Sequence, residues 1–467
     1  MISDQLYYKT IVELSALIRR GVLSSRQVTE LMLNRIEKLD SQLYGYATVL
    51  KERAITQAVK RDDELGNGIW RGPLHGVPIA LKDLCYTKFA PTAGGTKIHA
   101  SFVPPYNATI VDRLERAGAV ILGKLKMTEG AYTSHHPDDQ APINPWNPDY
   151  WVGSSSSGSG VATSAGMCFG AIGSDTGGSI RFPSATCGLT GIKPTWGRVS
   201  RHGIFALADS LDHVGPMCRS AADAAAMLGV IAGADANDPT ALRDQVPNYL
   251  SQIGDGVRGL RIGVDRSYTQ EGIDPQVVTA LTDAERVFAE MGAEIREVRF
   301  PAYEKLVSLW ISMCSVETAA AHIDTYPSRK KEYGPDLAAL IEQGRSVSGV
   351  EVASIHHERL KFSGSLRSLF EDVDVLLIPT MPVPIPTLQK MSEYGADPTI
   401  LLSILRFTAV FDFSGSPTIT FPMGIASDRM PLSMQLVGPH LSEGVLARAA
   451  HAFQSTTDWH TRRPPLN

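Results

Sequence analysis

The sequence predicts an α/β protein built around one central sheet. Short apolar runs that fit buried strands, such as V-P-I-A-L-K ending at Lys82, alternate with longer segments whose apolar residues recur every three to four positions. In addition, 43% of the residues are hydrophobic and 20% are charged, which is typical of a globular protein that buries a core. Strands that alternate with helices indicate a layered α/β architecture.

The first part of the chain, residues 1–65, is predicted to be helical. An apolar face runs from Ile11 to Ile18 at helical spacing, and Ser24 or Ser25 could cap the helix that follows. The elements predicted after this segment are a strand up to Lys82, a helix over 108–117, a strand over 119–124 and a helix over 161–168.

The second half of the chain continues the alternation. A helix is predicted from Ala221, and L-R-I-G-V-D, residues 275–291 and E-I-R-E-V-R-F form a strand–helix–strand unit. Residues 303–370 are mostly helical, and D-V-L-L-I-P-T and P-T-I-T-F-P are buried strands beside a rigid Pro-rich loop. No repeat or linker divides the chain. We therefore expect one domain over 1–467, with a helical segment (1–65), a catalytic core (66–240) and a C-terminal part that completes the sheet and substrate pocket (241–467).

Charge and cysteine content exclude several classes of function. The net charge is −5 and the basic residues are scattered, so no nucleic-acid partner is expected. No apolar run approaches about 18 residues, so no membrane-spanning helix is expected, and the N-terminus has no signal-peptide pattern. Five widely spaced cysteines without a C-x-x-C pair indicate free thiols and a cytoplasmic location.

The Gly- and Ser-rich stretch of residues 153–194 is the most informative part of the chain. It contains G-S-S-S-S-G-S-G and G-S-D-T-G-G-S-I-R, yet the apolar residues within it exclude a flexible linker. Ser155 and Ser179 each lie in a Gly/Ser turn, and Lys82 lies at the end of an apolar run upstream. Two serines and a lysine are a sufficient set for nucleophilic acyl transfer without histidine.

Several blocks of this sequence resemble the amidase signature family, the serine hydrolases built on a Ser–cis-Ser–Lys triad. These blocks are L-H-G-V-P-I-A-L-K-D, N-P-W-N, G-S-D-T-G-G-S-I-R, S-L-D-H-V-G-P-M, L-I-P-T and M-Q-L-V-G. The resemblance covers nearly the whole chain. It implies the amidase-signature fold, a central mixed twisted sheet covered by helices on both faces. It also implies catalysis without a cofactor, a metal or a histidine.

The resemblance assigns Ser179 as the nucleophile. The two glycines before it allow the backbone to approach a substrate closely. Successive N–H groups of Thr176, Gly177, Gly178 and Ser179 could form an oxyanion-binding nest. The alternative for a lone G-G-S is a solvated turn.

Ser155 is the expected bridge and Lys82 the expected base. Gap-free spacing from Ser179 selects Ser155 among four consecutive serines, with Ser156 as the alternative, and the family has a cis peptide bond before the matching serine. A hydroxyl both donates and accepts, so it can pass a proton to a lysine that burial keeps neutral. Without the motif, Lys82 would instead be expected to reach solvent or to pair with Asp83.

The remaining polar residues are expected to have supporting roles. Asp175 is expected to accept backbone N–H groups of the nucleophile loop, and Arg181 to be buried and ion-paired. Tyr132, His135 and Trp310 are candidates for the substrate pocket, although aromatic residues are more often part of a core. His213 is expected to be a packing residue. The adjacent histidine pairs lack metal-ligand spacing, so no metal site is expected.

These inferences predict an amidase that hydrolyses linear carbon–nitrogen bonds through an acyl-enzyme on Ser179. Its partner would be a small-molecule amide, ester, anilide or carbamate, and the chain could form a homodimer. One alternative is the glutaminase component of a tRNA-dependent amidotransferase, which shares the triad. Another is a binding protein on a decayed amidase scaffold, which the intact triad positions disfavour.

Overall fold

The protein is described by a computed structural model that covers residues 6–395 and 397–466. The described strands form one mixed sheet of eleven strands in the order β1-β3-β2-β4-β6-β5-β10-β11-β9-β7-β8. The strands are β1 (Tyr46–Val49), β2 (Pro78–Lys82), β3 (Val120–Leu125), β4 (Gly170–Asp175), β5 (Thr190–Lys193), β6 (His213–Cys218), β7 (Arg261–Val264), β8 (Glu294–Glu297), β9 (Val375–Pro379), β10 (Thr418–Ile425) and β11 (Pro431–Val437).

Helices flank this sheet, and several begin at side chains that cap them. Ser24, rather than Ser25, caps the second helix by accepting the Gln27 amide. The helices are α1 (Ile11–Arg19), α2 (Ser25–Leu43), α3 (Lys51–Gly66), α4 (Thr109–Arg116), α5 (Ser157–Ser164), α6 (Arg181–Thr186), α7 (Ala221–Ile231), α8 (Arg266–Gln270), α9 (Pro275–Glu290), α10 (Glu304–Ala321), α11 (Pro335–Ser346), α12 (Gly349–Asp372), α13 (Leu388–Gly395), α14 (Pro398–Leu405), α15 (Ala409–Ser414) and α16 (Glu443–Thr456).

The sheet topology brings the motif residues to one edge. Strand β2 pairs in parallel with β3 and with β4, so the C-terminal ends of these strands lie side by side. Lys82 is the last residue of β2, and Asp175 is the last residue of β4. The nucleophile loop, residues 176–180, therefore begins beside Lys82 and leads into α6.

The predicted α/β class is confirmed, with two corrections to the elements. Tyr46–Val49 is strand β1 inside the segment predicted to be helical, and it pairs antiparallel with β3 at the sheet edge. The helix predicted over 161–168 is α5, which begins earlier at Ser157. Its start was missed because glycines are poor helix formers. At Gly158 no side chain would fit, since a Cβ there would meet the backbone of Lys126.

Most of the buried apolar side chains form one continuous cluster that extends along the whole sheet. A much smaller cluster lies around Tyr326, Tyr333 and Leu337 at the start of α11. All five cysteines are buried and none forms a disulfide. Within residues 6–395 and 397–466, every helix is too short or too polar to cross a membrane.

Candidate active site

Lys82 is enclosed at the centre of the predicted site. All five residues of β2 are buried, and the Lys82 side chain is 0% exposed. Its Nζ donates hydrogen bonds to the hydroxyl oxygens of Ser155 at 2.6 Å, Ser156 at 2.9 Å and Ser174 at 2.8 Å. Burial lowers the pKa of Lys82 to about 7, because an ammonium group loses its hydration there.

Neither alternative environment for Lys82 is found. The side chain does not reach solvent, and Asp83 pairs instead with Lys124, at 2.9 Å. Without a carboxylate in contact, the ammonium form of Lys82 is stabilised only by three neutral hydroxyl groups and by more distant charges such as those of Asp175 and Asp212. Lys82 can therefore exchange a proton with the hydroxyls around it near neutral pH.

Two hydroxyl groups of the serine loop, those of Ser155 and Ser156, accept hydrogen bonds from Lys82. The peptide bond between Ser154 and Ser155 is cis, and the Ser155 carbonyl accepts the Thr128 amide at 3.2 Å. The Ser156 hydroxyl also bridges to strand β4, where it accepts the Ser174 amide and donates to the Ser174 carbonyl, both at 3.2 Å. Ser155 and Ser156 are fully buried, so the Lys82 contacts are shielded from water.

Asp175 organises the nucleophile loop. Its carboxylate accepts the amides of Gly178 at 2.7 Å and Ile180 at 3.0 Å, together with two guanidinium N–H groups of Arg181 at 2.7 and 3.0 Å. Burial alone would raise the pKa of Asp175, but the Arg181 charge and these hydrogen bonds outweigh it and hold the pKa well below its usual range. Asp175 is thus a permanent anion that shapes the loop.

Ser179 lies within this loop and is half-buried. In the described structure its hydroxyl forms no hydrogen bond, and Lys82 and Ser155 are in contact without it. Catalytic hydrogen bonds are often long before a substrate binds. The structure therefore joins two members of the expected triad directly and places the third on the adjoining loop.

The expected oxyanion donors are not equivalent. The Gly178 N–H donates to Asp175, so it is not free to bind a substrate oxygen. The N–H groups of Thr176, Gly177 and Ser179 have no acceptor in the described part of the chain. The expected set of four oxyanion donors is therefore reduced by one, because Asp175 already accepts the Gly178 N–H.

Three side chains from other parts of the chain form hydrogen bonds with the nucleophile loop. Trp310 Nε1 donates to the Thr176 carbonyl at 2.9 Å, and the Thr408 hydroxyl donates to the Gly177 carbonyl at 2.7 Å. Asp212 accepts the Thr176 hydroxyl at 2.5 Å. Trp310 was expected to line a substrate pocket. The structure shows it 6% exposed. Its ring packs so closely against the loop that a Cβ on Gly177 would collide with it.

The other two pocket candidates have different surroundings. The Tyr132 side chain is half-buried and packs against both apolar clusters, and burial raises the pKa of its hydroxyl. His135 Nε2 lies 3.1 Å from the hydroxyl of Ser157, the first residue of α5. Burial lowers the pKa of His135 to about 4, so the ring is neutral at pH 7. Of the two, His135 is thus the one that contacts the serine segment.

Some residues of the site were not found from the sequence. Ser174 could have been found from the sequence, because it directly precedes Asp175 at the end of the strand beside β2. Asp412 lies in the apolar run T-A-V-F-D-F, and a lone carboxylate in such a run indicates a buried acid. It accepts a second hydrogen bond from Arg181 at 2.7 Å and lies 3.5 Å from His213. His213 is buried, as expected for a packing residue.

Comparison with known proteins shows the family. The family model described as Amidase matches residues 27–446. The chain therefore belongs to the amidase family, and it is a hydrolase of amide carbon–nitrogen bonds. The amidase-signature fold expected from the motifs is confirmed by the solved structures of this family.

Individual relatives span the whole chain. “Putative amidase AmiD” of Mycobacterium tuberculosis is 49% identical over 456 residues, covering 98% of this chain and 96% of that protein. The A subunit of the glutamyl-tRNA(Gln) amidotransferase of Methylococcus capsulatus is 38% identical, with 98% and 99% covered. The peptide amidase of Stenotrophomonas maltophilia superimposes with a TM-score of 0.83 at 28% identity, with 98% of both chains covered.

Proposed function

We propose that this protein is a stand-alone amidase that cleaves small linear amides through an acyl-enzyme on Ser179. The observation that carries the proposal is the buried contact between Lys82 and Ser155, at 2.6 Å, beside a loop whose Gly177 and Ser179 amides are free. This arrangement supplies a base, a relay and an oxyanion site without any cofactor.

In the proposed reaction the Ser179 oxygen attacks the amide carbonyl carbon. The Ser179 proton passes to Ser155 while the Ser155 proton passes to the neutral amine of Lys82. The carbonyl π electrons move to oxygen, and the Gly177 and Ser179 amides bind the resulting oxyanion. Removing one such donor typically costs about 3–4 kcal/mol of transition-state stabilisation.

Collapse of the tetrahedral intermediate re-forms the carbonyl and breaks the carbon–nitrogen bond. The leaving nitrogen takes a proton back through Ser155 from Lys82. Water then attacks the Ser179 ester by the same relay, which releases a carboxylic acid and restores the serine. The same steps accommodate aryl esters, anilides and carbamates, so these remain within the proposed substrate range.

The alternative, the glutaminase component of an amidotransferase, has weaker support. The chain is 49% identical to the protein named “Putative amidase AmiD” and 36–38% identical to the A subunits of amidotransferases. The greater identity to the amidase favours an enzyme that works without a partner. A stand-alone amidase needs neither ATP nor tRNA, and the proposed triad needs no metal.

One experiment tests both points. The purified chain is assayed with a chromogenic aryl amide in chelating buffer, with Ser179→Ala as the matched variant. We expect amine release by the wild type, a covalent adduct on Ser179 by mass spectrometry, and no release by Ser179→Ala despite an unchanged circular dichroism spectrum. Full activity of Ser179→Ala would contradict the nucleophile. Activity that appears only on glutamine with an added amidotransferase partner would support the glutaminase alternative.

A further inference from the structure

A cavity away from the candidate active site lies between the two ends of the described chain. It has a volume of about 290 Å³ and is bounded by Tyr8 and Glu13 on one side and by residues 460–464 on the other. Its floor contains Ser164 and Cys187. These residues lie at the C-terminal ends of α5 and α6, the helices that follow the serine loop and the nucleophile loop. Since α5 has eight residues, it separates the cavity from Ser155 by roughly 12 Å.

Three arginines surround the tyrosine ring at this cavity. The guanidinium carbons of Arg463, Arg35 and Arg219 lie 4.4, 5.3 and 5.9 Å from the centre of the Tyr8 ring. Arg35 and Arg219 are each only 8% exposed. In the described part of the chain, no carboxylate comes within ion-pair distance of any of the three. The charge of the buried Asp223, which accepts the Val12 amide, acts on Arg219 from beyond this distance and compensates it only in part.

Several polar groups at the cavity lack partners. Arg219 donates through its Nη atoms to the backbone carbonyls of Thr163, Cys168 and Lys9, and its Nε is buried without a hydrogen-bond partner in the described structure. The same holds for His460 Nδ1. Arg463 is exposed and donates to no described residue. The single acid that lines the cavity, Glu13, is bound by the amide and hydroxyl of Thr10.

Of the two arginines that line the cavity without an ion pair among the described residues, Arg463 is exposed and keeps its hydration, whereas Arg219 is buried. Arginine remains charged at all accessible pH values, and a buried cation without a counter-ion is strongly destabilising. The guanidinium fork matches the geometry of carboxylate and phosphate oxygens. A cavity near 300 Å³ is at the small end of the range for small-molecule sites.

We propose that this cavity binds a small anion bearing carboxylate or phosphate groups, which contacts Arg219 and Arg463. The bound anion would hold the first and last segments of the chain together. It would also contact the ends of α5 and α6 that lie away from the catalytic loops. This site goes beyond the proposed amidase function and does not depend on it.

A second basic cleft on the molecule provides a control. It has a volume of about 690 Å³, lies between α3 and α4, and contains Arg61, Arg71 and Arg116. There Glu64 neutralises Arg61 and Arg71 through short ion pairs of 2.7 Å. Arg116 has no such pair in the described structure, so it tests whether any exposed arginine in a basic cleft binds the probe.

The test is calorimetric titration of the intact protein at low ionic strength, with inorganic phosphate and succinate as separate probes. We expect saturable one-to-one binding of at least one probe, and which one binds identifies the anion class. Arg463→Gln should weaken binding about tenfold or more, since a charge-assisted contact is lost. Arg116→Gln should bind like the wild type.

Binding can fail independently of catalysis. Ser179→Ala should bind the probe as the wild type does, so the binding measurement does not depend on catalytic activity. No saturable heat with either probe at millimolar concentration would overturn the proposal. So would an Arg463→Gln variant with unchanged affinity, or an Arg116→Gln variant weakened to the same extent.

Discussion

The central chemical feature at the scale of single residues is a lysine without a counter-ion. Lys82 is surrounded by three serine hydroxyls, and burial lowers its pKa to about 7. Below this pKa the ammonium group has no lone pair, and above it the neutral amine can accept a proton. The active form of the proposed base is therefore the one that forms as pH rises.

The pH dependence of catalysis should follow this titration. We expect kcat/KM for a chromogenic amide to rise between about pH 6 and pH 8 and then to level off. Lys82→Arg should lose roughly 10²–10⁴-fold in kcat, because arginine keeps the charge and cannot deprotonate. An active Lys82→Arg enzyme would exclude the base role.

Other buried groups titrate in the same range, and Lys193 and Asp212 among them must be distinguished from Lys82. Burial lowers the pKa of Lys193 to about 7 and raises that of Asp212 to about 6. Lys193 donates to the Ser416 carbonyl at 2.6 Å and contacts no catalytic hydroxyl. The rise in kcat/KM should therefore persist in Lys193→Met. Loss of this rise in Lys193→Met would assign the pH profile to Lys193 rather than to Lys82.

The pKa values of the two acids that bind Arg181 are shifted in opposite directions. Burial and the neighbouring Asp175 charge raise the pKa of Asp412 far above its usual range, whereas Arg181 holds that of Asp175 below it. The protonated form of Asp412 is thus favoured relative to that of an ordinary carboxyl group, whereas the ionised form of Asp175 is favoured. Asp412→Asn should change the free energy of unfolding by less than about 1 kcal/mol. Asp175→Asn should cost about 3–5 kcal/mol, because Arg181 then lacks its anion.

Urea denaturation and kcat measured on both asparagine variants test this difference. Equal destabilisation by the two substitutions would contradict the opposite pKa shifts of Asp175 and Asp412. Asp412→Ala is the companion variant, which should be more harmful than Asp412→Asn because it leaves Arg181 with an unmet hydrogen bond.

At the scale of elements, the nucleophile loop has no space for side chains at its glycines. A Cβ on Gly177 would collide with the Trp310 ring, and one on Gly178 with the Phe182 ring. Gly178 also has φ = +133°, a conformation that other residues rarely adopt. The loop is therefore defined by its contacts with α6 and α10 as much as by its own sequence.

Gly177→Ala should shift this loop away from Trp310 and reduce kcat by about 10²-fold, since small displacements of reacting groups are costly. Trp310→Phe in the same chain should restore part of the activity by making room. The control is Gly364→Ala, an exposed position within α12 where a Cβ meets nothing within 4 Å. It should leave kcat unchanged and stabilise the helix by roughly 0.5–1 kcal/mol. Wild-type kcat in Gly177→Ala would show that the loop is not so constrained.

At the scale of the whole molecule, distant parts of the chain alternate within one sheet. Strand β10, from the C-terminal part, pairs with β5 from the catalytic core, and β11 joins it to β9. The C-terminal part also supplies Thr408 to the nucleophile loop and Asp412 to Arg181 at the start of α6. Neither part can therefore complete the site alone.

We expect the intact chain to unfold in one cooperative transition, as a single domain over 1–467. Removal of residues 241–467 would leave the β5 edge unpaired and part of the core exposed. Differential scanning calorimetry should give one peak whose van 't Hoff and calorimetric enthalpies agree. Two resolved peaks would show that the parts fold independently.

The sequence by itself determined the chemistry and most of the elements. Lys82 at the end of an apolar run and Ser179 after two glycines are local patterns, as are the amphipathic helices and the apolar strands β2, β3, β9 and β10. Such features depend on spacing within a short window, which the sequence displays directly. The strands within the Gly/Ser-rich region were harder to identify, because they contain few of the branched residues that favour strands.

Only the tertiary structure decided which distant groups complete the site. Asp412 reaches Arg181 across 231 positions and Trp310 reaches Thr176 across 134, and no local pattern encodes either pairing. The same is true of the Gly178 amide, which was expected to bind an oxyanion and instead binds Asp175. Hydrogen-bond partners and pKa values depend on what is buried together, and strand order across the whole sheet determines that.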